Sequence, residues 1–257
     1  MKQNNKINSV EKALMVLKAF SEEQSLWGVR ELSAHLGFSP STIQRILKIL
    51  KEYGFISQNS ATKKYALGNI YFSFFRSLQS EYPVTRLSIP YMKRLLSNTQ
   101  ETVHLNVIDT DGLSRICINS FESSKELKAS QAIGTRAPLY AGATSKCLLA
   151  FSSEKFIDNY MRNIELSPLT GNTIIHKDQL LHELAMIREQ GYASSMAETT
   201  HGLGALSVPV FTFSNGKSLL AAISLAIPEI RFNIDEHRRL CIDQLLLVSQ
   251  EFSKMTA

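Results

Sequence analysis

Between Ser39 and Glu52 the chain reads SPSTIQRILKILKE. Ser39, Ser41, Thr42, Gln44, Arg45 and Lys48 offer hydroxyls, a carboxamide, a guanidinium and an ammonium, and no acid precedes Glu52. Such groups donate to base edges and to phosphate oxygens, which is the chemistry that a DNA major groove accepts. Ile43, Ile46, Leu47 and Leu50 recur at i, i+3, i+4 and i+7 in the same stretch. That spacing predicts a helix with an apolar back and a donor-rich front. Ser39 suits the N-cap, and Pro40 suits the first helical position, where its missing N–H would have had no partner.

Catalytic chemistry is thin elsewhere. The sequence has no nucleophile elbow, no phosphate-cradling glycine loop and no His/Cys set at metal-ligand spacing. His176, His182 and His201 read as loop or surface histidines, with a metal role for His201 beside Cys147 or His104 as the lesser alternative. Cys117, Cys147 and Cys241 are odd in number, far apart and set in apolar segments, which predicts reduced core thiols and a cytoplasmic protein. No catalytic residue, metal or cofactor is expected. Gly142-Ala143-Thr144-Ser145-Lys146 opens a predicted helix with small residues. Its backbone N–H groups can be approached closely, which favours a carboxylate or other small anion. Tight packing explains the same residues, and both explanations stay open.

The elements that position the donor face come next. Ser9–Phe20 repeats apolar residues at Val10, Ala13, Leu14, Leu17 and Phe20 behind a serine cap, predicting a first helix. Trp27 is expected to fold back onto a small core. Val29–Leu36 predicts a short second helix, and Gly37-Phe38-Ser39 a tight turn. A short helix, a turn and a capped basic helix follow the helix-turn-helix plan. Gly54 ends the basic helix, Phe55–Ser57 and Lys63–Leu67 read as two strands, and Lys63 and Lys64 sit near their hairpin tip as a wing. Residues 1–82 hold 11 Lys and Arg against 6 Asp and Glu, while the remainder holds 17 of each. All of the net +5 therefore lies with the predicted recognition helix, where counterion release favours phosphate.

Asn69 is expected to cap a helix carrying Tyr71, Phe72, Phe74, Phe75 and Leu78, apolar on more of its circumference than one packing surface uses. A partner subunit is one way to cover it. Pro83 ends it. Beyond lie predicted helices at Val84–Asn98, Thr144–Phe151, Ser153–Arg162, Asp178–Gln190 and Ile234–Lys254. Strands are predicted at Thr102–Ile108, Leu113–Asn119, Lys128–Ile133, Tyr192–Ser195, Gly204–Phe213 and Lys217–Ile227. Asp109–Gly112 and Asn215-Gly216 are hairpin turns. The pattern predicts an α+β chain of two domains: a mostly helical winged helix-turn-helix over 1–68, a connecting helix over 69–82, and an antiparallel sheet with packed helices over 83–257. No apolar run reaches the length of a bilayer span, and the N-terminus lacks a signal-like apolar core.

The stretches SVEKALMVLKAF, VRELSAHLGFSPSTIQRILKILKEYGFI and KKYALG resemble the winged helix-turn-helix of IclR-family transcriptional regulators. AIGTRAPLYAGATSKCLLAF, IREQGYASSMAETTHGLGALSVPVF and LLAAISLAIP resemble that family's effector-binding domain. The resemblance implies a GAF-like second domain, a linker helix that joins subunits into dimers or tetramers, operator DNA as partner, and a small organic anion as effector. By the matching positions it places Ala143, Thr144, Ser195, Leu203, Ala205 and Ser224 in the effector pocket, with Leu139 and Cys147 as its wall. Some members that bind small keto acids carry an acid at the position of Ser195 and a cysteine at that of Ala205. Both are small and uncharged here, which implies a roomier pocket and a different effector, with Glu198 as the nearest acid. A small-molecule enzyme with an N-terminal assembly domain, and an adaptor docking through the aromatic helix, are the rival classes.

Overall fold

Helix α1 (Ser9–Glu22) is capped by Asn8, one residue before the predicted serine. Asn8 Oδ1 accepts from Glu11 N at 2.9 Å, and Glu11 Oε2 accepts from Asn8 N at 2.7 Å. This is a reciprocal capping box. The computed structural model describes residues 8–22, 24–212 and 218–255, so the Asn215-Gly216 turn lies outside the described residues. The chain divides into two compact units, Met1–Tyr82 and Pro83–Ala257.

In the first unit α1 turns Ala13, Val16, Leu17 and Phe20 inward, whereas Val10 and Leu14, expected on that face, are exposed. Residues 13, 16, 17 and 20 form the i, i+3, i+4, i+7 stripe, and that stripe won the core. Helix α2 (Val29–Leu36) buries Leu32 and ends at Gly37 in the left-handed region (φ 70). Helix α3 (Pro40–Glu52) buries Ile43, Ile46, Leu47 and Leu50. Its cap is Ser39, whose Oγ accepts from Thr42 N at 3.3 Å. Trp27 is buried, as expected, and its Nε1 donates to Ala19 O at 3.1 Å.

Strands β1 (Ile56–Gln58) and β2 (Tyr65–Leu67) pair antiparallel, and Trp27 exchanges two backbone bonds with Tyr65 beside them. The returning strand starts later than predicted, because Lys63 takes a left-handed backbone (φ 58) and belongs with Lys64 to the turn. Gly68 sits where the chain leaves the hairpin, and a Cβ there would lie 2.0 Å from Gly54 O. Only glycine fits that approach. Helix α4 (Ile70–Glu81) has Asn69 at its N-cap, but the side chain makes no capping bond. Tyr71 and Phe74 pack on Phe55 at centroid distances of 6.1 and 5.9 Å. Phe72, Phe75 and Leu78 remain exposed.

The second unit opens with α5 (Pro83–Leu87) and α6 (Ile89–Thr99), where one helix over 84–98 was expected. Pro90 explains the break: it has no N–H for the carbonyl of Arg86, and its ring crowds that turn. Strands β3 (Thr102–Ile108) and β4 (Ser114–Phe121) form the predicted hairpin. Lys128–Ile133 is not a strand. Strand β5 (Arg136–Pro138) pairs with Ser114–Ile116 of β4, and side chains hold the 128–133 segment, Thr102 Oγ1 donating to Ala129 O at 2.7 Å. Helices α7 (Ala143–Ala150), α8 (Glu154–Asn163) and α9 (Lys177–Gln190) follow. The chain closes with β6 (Ala193–Met196), β7 (Leu203–Thr212), β8 (Ser218–Pro228), α10 (Glu229–Phe232) and α11 (Asp235–Met255).

The six strands run β5-β4-β3-β8-β7-β6, every pair antiparallel. The architecture is α+β, as predicted. Alternation along the strands gives the sheet two different faces. Val103, Leu105, Leu206, Val208, Ile223 and Leu225 pack on α6 and α11 through Met92, Leu95, Leu245 and Val248. The other face carries His104, Asn106, Ser207 and Ser224, all buried, and is covered by α7, whose eight residues are all buried. Helix α9 backs α7 through Leu180, Leu184 and Ile187. Cys117, Cys147 and Cys241 are buried free thiols, and burial pushes Cys147 up to about 12.

Candidate functional site

In the first unit α3 presents Ser39, Ser41, Gln44, Arg45 and Lys48 to solvent, with Thr42 half-buried. The sequence dictates this: once Ile43, Ile46, Leu47 and Leu50 are anchored, the polar residues between them must face outward. Ser39 Oγ lies 3.1 Å from Ser41 Oγ and 2.9 Å from Thr42 Oγ1, so the three hydroxyls form one cluster at the helix N-terminus. Among the described residues Arg45, Lys48 and Lys63 make no ion pair. Lys64 differs. Its Nζ pairs with Glu31 Oε1 on α2 at 2.9 Å, and that contact, with the bond from Gly28 N, holds the Glu31 carboxyl below its ordinary range. The two wing lysines are thus unequal, one unpaired at the turn and one tied back to the helix-turn-helix.

In the second unit a cavity of about 480 Å³ opens between the polar face of the sheet and the start of α7. Ala143, Thr144, Ser195, Leu203, Ala205 and Ser224 line it together. Leu139 and Cys147 do not. Both are fully buried in the apolar cluster that α7 makes with α9. Two N–H groups at the start of α7 are already engaged: Gly142 N donates to Glu198 Oε2 at 2.9 Å and Ala143 N donates to Ser195 Oγ at 2.9 Å. Glu198 Oε1 also accepts from the buried Lys146 Nζ at 2.6 Å, and Glu183 Oε1 accepts from it at 2.7 Å. Glu198 therefore serves α7, as the negative charge that a helix N-terminus favours, rather than capping its own loop. Gly142 has φ 84, and a Cβ there would meet Thr199 Cγ2 at 3.1 Å.

His104, Arg115, Gln131 and Thr135 also line the cavity, and of these the sequence pointed only to His104, as a metal partner of His201 rather than as part of this wall. Arg115 Nη1 donates to Asn106 Oδ1 at 2.6 Å and its Nε to Ser145 Oγ at 3.1 Å. The Gln131 carboxamide, oriented by its neighbours, accepts from Arg115 Nη1 at 2.8 Å and Nη2 at 3.2 Å, while its NH2 donates to His104 Nδ1 at 3.2 Å. Burial and the adjacent Arg115 push the His104 imidazole down to about 4, so it is neutral at pH 7 with its proton on Nε2. Burial also lowers Arg115, to about 10, which leaves it a cation. One signal was present in the sequence. Arg115 and Cys117 share a strand face, and a face that buries a thiol also buries its neighbour.

Among the described residues no group of three or more His, Cys, Asp and Glu could hold a metal ion, and no helix is long and apolar enough to cross a membrane. His176, His182 and His201 are exposed.

Comparison with known proteins agrees with this geometry in both units. Residues 9–60 match the IclR helix-turn-helix domain, and residues 77–254 match the bacterial transcriptional regulator IclR C-terminal domain. The chain belongs to the IclR family. It is 32% identical over 232 residues to the HTH-type transcriptional regulator KdgR of Escherichia coli (strain K12), covering 90% of this chain and 86% of that protein. It is 31% identical over 234 residues to KdgR of Dickeya chrysanthemi, covering 91% of this chain and 75% of that one. A crystal structure of an IclR homolog complexed with 4-hydroxybenzoate, from Microbacterium hydrocarbonoxydans, shares the fold with a TM-score of 0.77. Identity there is 15%, over 95% of this chain and 99% of that one. This IclR-family member is accordingly a DNA-binding transcriptional regulator, with α2 and α3 as its helix-turn-helix.

Proposed function

We propose that this regulator reads its operator through α3 and that a small organic anion in the second-unit cavity modulates the affinity. The observation that carries the reading is the solvent-facing, acid-free donor surface of α3 on a buried apolar back. Ser39, Ser41, Thr42, Gln44, Arg45 and Lys48 contact the major groove, and Lys63 meets phosphate from the wing. Lys64 contributes less, since Glu31 shares its charge. Residues 1–68 form the DNA-binding domain, 69–82 the connecting helix and 83–257 the effector domain. The cavity lined by Ala143, Thr144, Ser195, Leu203, Ala205 and Ser224 supports an effector site, as does the homolog complexed with 4-hydroxybenzoate. Leu139 supports that site from behind α7.

The exposed Phe72, Phe75 and Leu78 of α4 fit a homodimer, or a tetramer built from dimers, with a palindromic operator. The protein works in the cytoplasm, where its DNA is, and catalyses no reaction. An effector that prefers one dimer geometry changes operator affinity by that difference in preference. The test compares Arg45→Ala with Lys63→Ala on operator and scrambled DNA. Arg45→Ala is expected to cost about 1–3 kcal/mol on the operator and to relax selectivity at one base pair. Lys63→Ala is expected to weaken both DNAs alike and to reduce the salt slope by about one. Wild-type affinity in both variants would contradict the assignment of α3 and the wing to DNA.

A further inference from the structure

The cavity holds a charge that the protein itself does not balance. Arg115 is 9% exposed, and every partner it has is neutral: Asn106, Ser145 and Gln131. No carboxylate pairs with it among the described residues. A buried cation without an anion is strongly unfavourable unless something compensates it. Its neutral partners use four of the five guanidinium N–H groups and leave one on Nη2. The opposite wall is arranged in the contrary sense. There Glu198 accepts from Gly142 N and Ser195 from Ala143 N, and Glu198 brings its own negative charge to the start of α7.

Two further buried groups point the same way. His104 Nε2 and Ser224 Oγ have no hydrogen-bond partner within the protein, both residues line the cavity, and they face each other across the β3–β8 ladder. The Gln131 amide fixes the imidazole as an Nε2–H donor by occupying Nδ1. The remaining wall adds Arg136, whose charge Asp109 pairs, and the hydroxyl residues Thr135, Thr144, Thr199 and Thr200, and no phenyl, phenol or indole ring.

Resting on the reading of this cavity as the effector site, we propose that Arg115 is its anion anchor and that the effector is a small hydroxylated carboxylate. The carboxylate sits against the guanidinium at the β3–β4 side of the cavity. Its hydroxyl groups bond His104 Nε2–H and Ser224 Oγ. Ser195 and Ala205, the positions where some relatives carry an acid and a cysteine, then shape the cavity without setting its charge preference. Arg115 sets it.

Isothermal titration calorimetry of the full chain with D-gluconate tests this, with D-glucose as the uncharged control. Gluconate is expected to bind at least ten times more tightly than glucose. Arg115→Gln is expected to lose at least tenfold in gluconate affinity while its ligand-free melting temperature stays level or rises, because an uncompensated buried charge has gone. A merely structural arginine would instead lower that melting temperature and leave the preference for gluconate over glucose intact. Should Arg115→Gln not fold, the Arg115 Nε–H resonance of the wild-type protein, assigned with Arg115→Lys, decides. It is expected to move on saturation with gluconate, and an unmoved resonance would overturn the anchor. Gluconate binding that ignores Arg115, or that glucose equals, overturns the anchor and leaves the cavity reading standing. Binding of pyruvate but not gluconate overturns the hydroxylated class alone, and binding of 4-hydroxybenzoate but not gluconate overturns its ring-free, aliphatic form. No binding of gluconate, pyruvate or 4-hydroxybenzoate overturns the anchor and the cavity reading together.

Discussion

His104 is the residue whose environment has the clearest measurable consequence. Burial first, and then the Arg115 guanidinium, hold its pKa down at about 4, with Glu122 acting weakly in the opposite direction. In the unfolded chain the imidazole returns to its ordinary value of 6.5. Between those values the unfolded state binds the extra proton, so folding stability rises with pH through the window and is lost on acidification. Between pH 7 and pH 5 this group should remove about 2 kcal/mol from the stability of the second unit. The lowered carboxylates Glu101 and Asp109 lose their contribution below that window, from their ordinary values downward. Urea denaturation at pH 7 and pH 5 checks it: His104→Gln should show a shallower loss than wild type, and an equal loss would contradict a buried neutral His104. At this scale the sequence was half legible. The donors of α3 could be read because their apolar partners follow at helical spacing. His104 could not, and Arg115 only indirectly through Cys117 on its strand face, because alternation in a strand looks the same whether its polar face meets solvent or a cavity.

At the scale of elements, α4 carries the sharpest consequence. Its Tyr71 and Phe74 reach Phe55, yet Phe72 is 76% exposed and Leu78 52%. If a second subunit covers that side, Phe72→Ser with Leu78→Ser should turn a dimer into a monomer at micromolar concentration, read by sedimentation velocity. The ligand-free fold should survive, since neither side chain is buried within the chain. A double variant that still sediments as the wild-type dimer would place the interface elsewhere. Most elements were legible because apolar spacing, serine caps and glycine stops agreed with one another. The misses have local causes. Pro90 splits a helix whose apolar pattern runs through it, and Lys128–Ile133 has strand composition but is held by side-chain bonds, such as that from Thr102 Oγ1 to Ala129 O, rather than by a ladder. Val10 and Leu14 fit a helical stripe as well as Val16 does, and only packing chose between the stripes.

At the scale of the whole molecule, the division of labour follows from charge and composition. The excess basic charge lies in the unit that carries α3, and the second unit, with equal numbers of basic and acidic residues, encloses a polar cavity behind one face of a six-stranded sheet. Two domains, their fold class and their family were legible before any coordinate. The ligand's anchor was not, because it depends on which strand faces meet across the sheet. The measurement that tests the central claim most directly is a salt-titrated binding assay of the wild-type protein on the DNA flanking its own gene, against scrambled DNA of equal length. Binding at least about 10³-fold tighter to one segment, with log K falling steeply as log salt rises, is the predicted result. Equal affinity for the flanking and scrambled DNA at every salt concentration would contradict the account.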